Sequence, residues 1–202
     1  MMKFLFVVFA AMVLLSALPS QSQAHSLEWV ENNIGKKGKF FKPVHKKAPT
    51  FELRDSKGNT VSGKSFPDKN IILFFVDDQC VDACLTQIRR MAQFQSMLNI
   101  TPMREGVQFV AVVTDEAQVT GEVNVDPVNW VYLVGGKNLV GQLKKDFGHT
   151  ATIPDSAVVH VIGSKGQWRA DFRGVKFKLV NFLVYMNALQ NSIRGIKDGH
   201  GL

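Results

Sequence analysis

Cysteine is nearly absent from this chain: Cys80 and Cys84 are the only two in 202 residues. A scaffold held together by disulfides is thereby excluded, and a chain of this length can bury a full core without one. Histidine is scarce as well, with five residues and no spacing that matches a zinc site. No apolar run beyond residue 18 is long enough to cross a bilayer. Internal repeats and low-complexity segments are missing too. The net charge is +7, yet no nucleic-acid-binding module accompanies it, so nucleic acid is not an expected partner.

What is present begins with an export signal. Lys3 supplies a minimal positive start, residues 4–18 are apolar apart from Ser16, and Ser22-Gln23-Ala24 suits cleavage before His25. Residues 1–24 are expected to leave as a signal peptide, placing the mature chain in the periplasm or outside the cell, where disulfides persist. The alternative is an uncleaved segment that anchors the chain to the inner membrane, although the apolar run is shorter than the ~20 residues of a spanning helix. Residues 25–47 read as a basic extension, with a short helix around residues 27–34. Lys36, Lys37, Lys39, Lys42, Lys46 and Lys47 flank Phe40 and Phe41 there. Such a run is ordinarily a solvated arm, and its charge also suits peripheral contact with anionic lipid or an acidic protein.

Residues 48–195 read as one folded domain and residues 196–202 as a flexible tail. Ser56-Lys57-Gly58-Asn59 has turn chemistry between two short strands. Ile71-Ile72-Leu73-Phe74-Phe75-Val76 predicts a buried strand, and the apolar spacing from residue 82 to 98 predicts a helix. Residues 107–113 read as a second buried strand and residues 130–134 as a short one, while residues 117–129 show no clear period. A helix over residues 139–147 ends at Gly148. Residues 157–162 and 167–172 flank Gly163-Ser164-Lys165-Gly166, a hairpin signature, and Leu179, Phe182, Leu183, Met186, Leu189 and Ile193 mark a terminal amphipathic helix. Leaving aside the short strand at residues 130–134, the order from residue 71 is β-α-β-α-β-β-α. It predicts an α/β, thioredoxin-like fold: a central mixed sheet flanked by helices, with an extra N-terminal hairpin.

Cys80 and Cys84 fall where the first buried strand hands over to a helix. Backbone N–H groups at a helix start favour negative charge and so stabilise a thiolate. Two thiolates on one helical face can close a disulfide or hold a soft cation such as Cu(I). A merely structural bridge over about five residues would contribute only ~2 kcal/mol. Asp77 and Asp78, in the turn before the pair, would oppose thiolate formation and read as turn residues.

Several segments resemble the Sco/SenC family of copper-handling thioredoxin-fold proteins. Ala48-Pro49-Thr50-Phe51-Glu52-Leu53 is similar to the family's opening strand and Gly58-Asn59-Thr60-Val61 to its hairpin. Leu73-Phe74-Phe75 leading to Cys80-Val81-Asp82-Ala83-Cys84 matches its strand and C-x-x-x-C motif. Trp130-Val131-Tyr132-Leu133-Val134-Gly135, Leu143-Lys144-Lys145-Asp146-Phe147-Gly148 and the stretch around Val158-Val159-His160-Val161-Ile162 resemble later segments, so the similarity covers residues 48–190. Two positions depart from the family pattern. Val81 and Leu85 stand where a proline usually follows each cysteine, and Asp155 stands where copper-binding members carry a histidine ligand. An aspartate oxygen is a hard ligand beside two thiolates.

The resemblance implies Cys80 and Cys84 as a redox-active pair, acting on a protein thiol, a disulfide or the copper site of a respiratory oxidase. No cofactor is required for that role. A Cu(I) carrier is the alternative, with Cys80 and Cys84 as ligands and Asp155, His149 or an external ligand as a third. His149 lies in the loop before the hairpin strand, whence it either reaches inward or remains solvated. His160, by strand alternation, faces away from the side shared by residues 155, 157 and 159. His25, His45 and His200 read as an ordinary terminus, an exposed residue and part of a loose tail. Pro154, after Ile153, reads either as the cis-proline of thioredoxin-like oxidoreductases or as an ordinary strand entry. Peroxide reduction on the same fold calls for a threonine or serine three residues before the reactive cysteine, where this chain has Asp77. A non-catalytic interaction protein with a residual disulfide is the remaining reading.

Overall fold

The computed structural model describes residues 26–36, 40–76, 81–114, 123–149 and 157–198. Among them, eight strands form one sheet in the order β1-β8-β7-β4-β5-β6-β2-β3. The strands are β1 (Phe41–Lys47), β2 (Glu52–Arg54), β3 (Thr60–Ser62), β4 (Asn70–Val76), β5 (Val107–Val113), β6 (Trp130–Val134), β7 (Val158–Ile162) and β8 (Gln167–Arg173). The helices are α1 (Leu27–Lys36), α2 (Val81–Asn99), α3 (Lys137–Asp146) and α4 (Leu179–Asp198). β4, β5 and β6 run parallel, whereas β7, β8 and β1 continue antiparallel from the other edge of β4. This is the thioredoxin-like arrangement expected from the element order, with the β2–β3 hairpin added beside β6.

The two central strands are apolar almost throughout because both of their faces are covered. Every residue of β4 and of β5 is buried. On one face Ile72, Phe74 and Phe109 meet Phe94 and Leu98 of α2 and Phe182 of α4. On the other, Leu73, Phe75 and Val112 meet Val140, Leu143 and Phe147 at α3. α2 and α4 thus lie on one side of the sheet and α3 on the other. No described helix is long and apolar enough to cross a membrane.

The basic segment departs from a solvated arm. Residues 41–47 form β1, hydrogen-bonded along β8, and Phe41 is buried against Phe172 and Tyr185 at ring distances of 5.2 and 5.4 Å. Lys42, Lys46 and Lys47 remain exposed on this edge, which is where lysine and proline are tolerated in a sheet. Pro43 precedes a register shift in β1, and His45 within it takes a φ of 51°. The helix expected near residues 27–34 is α1, which packs on α4. His45 is exposed, as expected, and its Nε2 lies 3.1 Å from Glu31 of α1.

Candidate functional site

β4 ends at Val76 and α2 begins at Val81, so the expected handover from buried strand to helix is present. Cys80 lies outside the described residues, as do Pro154 and Asp155. Cys84 falls in the first turn of α2, described for its backbone only.

His149 is well placed and is not solvated: it is only 7% exposed. Its position follows from how α3 ends. Gly148 takes a φ of +75°, its N–H donates to the Lys145 carbonyl at 2.8 Å, and the His149 N–H donates to the Lys144 carbonyl at 3.0 Å. This pair of bonds is a Schellman cap, and it needs a residue that adopts the left-handed conformation without penalty. The chain thereby turns inward and sets the His149 ring 5.1 Å from that of Phe75, one residue before the end of β4. The loop histidine and the strand leading towards the cysteines share one end of the sheet.

His149 opens a buried polar chain. Its Nε2 lies 2.9 Å from His160 Nε2, and His160 Nδ1 lies 2.8 Å from Asp171 Oδ1. Trp168 Nε1–H donates to the same Asp171 oxygen at 2.7 Å, and an Arg173 N–H donates to Oδ2 at 3.2 Å. His160 and Asp171 are register partners on β7 and β8. His160 points to the face opposite Val159 and Val161, as alternation predicts, and lies among Phe75, Phe147 and Trp168. Trp168 reaches Asp171 through an irregularity. Between β7 and β8 the pairing moves from Val161 opposite Ala170 to Ile162 opposite Trp168, leaving Arg169 as the extra residue of a bulge. Without it, residues three apart on a strand would face opposite sides.

The electrostatics of this chain are set by burial against hydrogen bonding. Burial first, then His160 and Lys144, push the His149 pKa down to about 4, well below the ordinary 6.5. Burial also lowers His160, and the Asp171 carboxylate only partly offsets it. Burial alone would raise Asp171, but hydrogen bonds from His160, Trp168 and Arg173 outweigh it and hold the carboxyl below its usual range. The resting state at neutral pH is therefore a carboxylate and two neutral imidazoles. Neither His160's role nor Asp171 was apparent from sequence. Among the described residues, no three histidine, cysteine or acidic side chains converge as a metal site.

Residues 44–143 match the AhpC/TSA family. No curated protein matches the sequence. Several solved structures share the fold. BsSco, described as a member of the Sco family of cytochrome c oxidase assembly proteins with a disulfide switch, aligns with a TM-score of 0.60 and 14% identity, over 76% of this chain and 98% of that one. A SCO1/SenC family lipoprotein from Bacillus anthracis str. Ames aligns at 0.58 with 20% identity, over 76% and 96%. Yeast Sco1 with copper bound aligns at 0.54 with 17% identity, over 75% and 92%. These three structural neighbours are Sco/SenC proteins, and the fold this chain shares with them is thioredoxin-like.

Proposed function

We propose that this chain is an exported redox protein that acts by thiol–disulfide exchange through Cys80 and Cys84, in the maturation of a copper site of a respiratory oxidase or of another exported protein. The observation that carries this reading is the handover at the pair: a buried central strand ends at Val76, a helix begins at Val81, the residue after Cys80 in the sequence, and Cys84 falls in that helix's first turn. A helix start favours a thiolate at Cys80. That thiolate attacks a partner disulfide, forming a mixed disulfide and releasing the partner's other sulfur as a thiolate. Cys84 then attacks the Cys80 sulfur, so the partner leaves with two electrons and the chain keeps the Cys80–Cys84 bond. The disulfide switch described for BsSco supports the chemistry. Peroxide reduction fits less well, because Asp77 occupies the place of the peroxidase threonine or serine. Exposed Lys42, Lys46 and Lys47 on the sheet edge suit contact with an acidic partner or an anionic membrane surface.

A second reading, Cu(I) carriage, is favoured by the burial of His149 beside Phe75. Two thiolates and one neutral imidazole form a donor set suited to a soft cation, in which Asp155 would be the poorer third member. The experiment is a Cu(I) titration of the reduced chain against a competing chelator, paired with reaction against a peptide disulfide. Exchange that vanishes in Cys80→Ser, with a trapped mixed disulfide in Cys84→Ser, supports the thiol reading. Tight one-to-one Cu(I) binding lost in both serine variants makes the chain a carrier, and absence of both activities defeats both readings.

A further inference from the structure

The side of β1 and β8 turned away from α1 and α4 carries cations from both strands, and the register settles which side chains share it. Lys42 stands directly opposite Asp171, and paired residues of neighbouring strands point to the same side of a sheet. Arg173 is two residues beyond Asp171 on β8 and donates to its Oδ2 at 3.2 Å, so it lies on that side as well. Lys46 holds its ammonium 4.5 Å from the centroid of the Trp168 ring, which belongs to the cluster on the α3 side of the sheet. Phe41 points the other way, against Tyr185 of α4. Lys42, Lys46 and Arg173 thus share one surface. The carboxylate beneath them, Asp171, is almost wholly buried and already accepts from Trp168 and Arg173. Among the described residues neither lysine has a carboxylate partner.

We propose that this face is the docking surface for a partner protein, recognised through an acidic segment whose carboxylates meet Lys42, Lys46 and Arg173. Its position suits the role. Arg173 pairs with Val158 of β7, at the end of the sheet where β4 finishes, so a partner held here is held beside that end. From there the surface runs down β1 to Lys46, four residues beyond Lys42 and so at most about 13 Å from it along a strand. Carboxylates spread over that distance on an extended segment meet both lysines. Two features favour such a segment over a lipid surface, which is gripped by side chains that insert among its headgroups. Trp168 is buried and lies under the Lys46 ammonium. Val44, between the two lysines, packs into the α3-side cluster. The stretch between the lysines therefore offers charge and no apolar group to bury in a membrane. That the docked partner is a disulfide substrate rests on the thiol–disulfide reading; the docking itself does not.

The test is a titration of the reduced chain with a short peptide of alternating glutamate and serine, followed in ¹H–¹⁵N spectra at low salt. The Trp168 Nε1–H signal and the β1 and β8 amides should move together, and added salt should reverse the shift. Lys42→Glu combined with Lys46→Glu should weaken binding about tenfold or more. Lys57→Glu combined with Lys64→Glu changes the net charge equally at exposed positions beside β2 and β3, the opposite edge of the sheet, and should weaken it far less. Equal weakening by the two pairs would mean that net charge alone attracts the peptide, and it overturns the proposal, as does absence of binding. Should the Lys46 change lower the melting temperature by disturbing Trp168, Lys42→Glu alone is compared with Lys57→Glu. Vesicles rich in anionic lipid form the second arm: binding to them that depends on Lys42 and Lys46, with none to the peptide, makes the face a membrane contact and overturns the proposal. In a third arm, an acidic disulfide peptide should be exchanged faster than a neutral one, and the Lys42 and Lys46 changes should erase that difference. Docking without exchange of either peptide would sink the thiol reading alone, whereas exchange with no preference for the acidic peptide would sink the docking surface alone.

Discussion

His160 and Asp171 stand directly opposite one another on β7 and β8, with Nδ1 and Oδ1 2.8 Å apart and both side chains almost wholly buried. A buried carboxylate in such a place is tolerated only because its donors are arranged around it. Hydrogen bonds to a charged group are worth about 1.5–3 kcal/mol each, and an orphaned buried partner costs more than the bond is worth. Asp171→Ala leaves the His160, Trp168 and Arg173 donors without their acceptor, and it should destabilise the chain by about 3–5 kcal/mol. Asp171→Asn keeps an acceptor oxygen and should cost less. Urea midpoints at constant m-value measure both; an alanine variant within ~1 kcal/mol of the wild type would show that the carboxylate holds nothing in place.

The same burial predicts a pH dependence. The His149 pKa is depressed in the folded chain to about 4, against an ordinary 6.5 once unfolded. Above pH 6.5 neither state binds the proton and stability is level. Between pH 6.5 and 4 the unfolded chain takes up the proton and the folded chain does not, so stability falls as pH falls, by about 2–3 kcal/mol in all. His160, also depressed, adds loss in the same direction. Asp171, lowered from 3.8, carries the decline further, because its contribution disappears as pH falls through its folded value. Urea midpoints of the metal-free chain from pH 7.5 to 4 should show this slope, and His149→Gln should remove much of it. A slope unaltered in that variant would assign the acid sensitivity elsewhere.

The helices and strands were largely legible in the sequence because their apolar patterns are strong. β4 and β5 read as buried strands and are buried on both faces; α3 and α4 read from helical spacing and fall within a few residues of expectation. β1 was not legible. Its lysines carry the pattern of a solvated surface, and only Phe41 shows that one edge of the segment is buried. The polar chain was hidden for a different reason. Counting back symmetrically from the Gly163–Gly166 turn pairs His160 with Arg169, whereas the turn closes Gly163 on Gln167 and the bulge adds one further residue, so that His160 pairs with Asp171. Periodicity carries no information about a bulge, and so a histidine and an aspartate that meet at hydrogen-bond distance looked unrelated. The cysteines were legible as a candidate site simply because there are two of them.

Gly148 provides a local test of how His149 is aimed. Its φ of +75° is costly for a side chain by about 1–2 kcal/mol, while an added Cβ would come no closer than 4.0 Å to Trp168. Gly148→Ala should therefore destabilise through backbone strain, without a clash. Gly148→Asn, which tolerates the left-handed region better, should recover part of the loss. Thermal melts rank the three chains. Equal stability of the glycine and alanine chains would mean that the cap is not what turns His149 inward.

The edge strand separates two properties that a basic segment confounds. Phe41 is buried against Phe172 and Tyr185, and Phe41→Ala should cost about 3–5 kcal/mol, the range for emptying a buried aromatic site. Lys42 and Lys47 are exposed on the same strand, and changing both to glutamine should alter stability by no more than ~0.5 kcal/mol for each. Lys46 is left unaltered in this comparison, since its ammonium lies 4.5 Å from the Trp168 ring centroid. If the lysines serve an acidic surface, the double glutamine chain should bind anionic vesicles more weakly at low salt while melting like the wild type. Loss of stability in the lysine variant with little loss in Phe41→Ala would reverse the assignment, making the charges part of the fold and the aromatic ring dispensable.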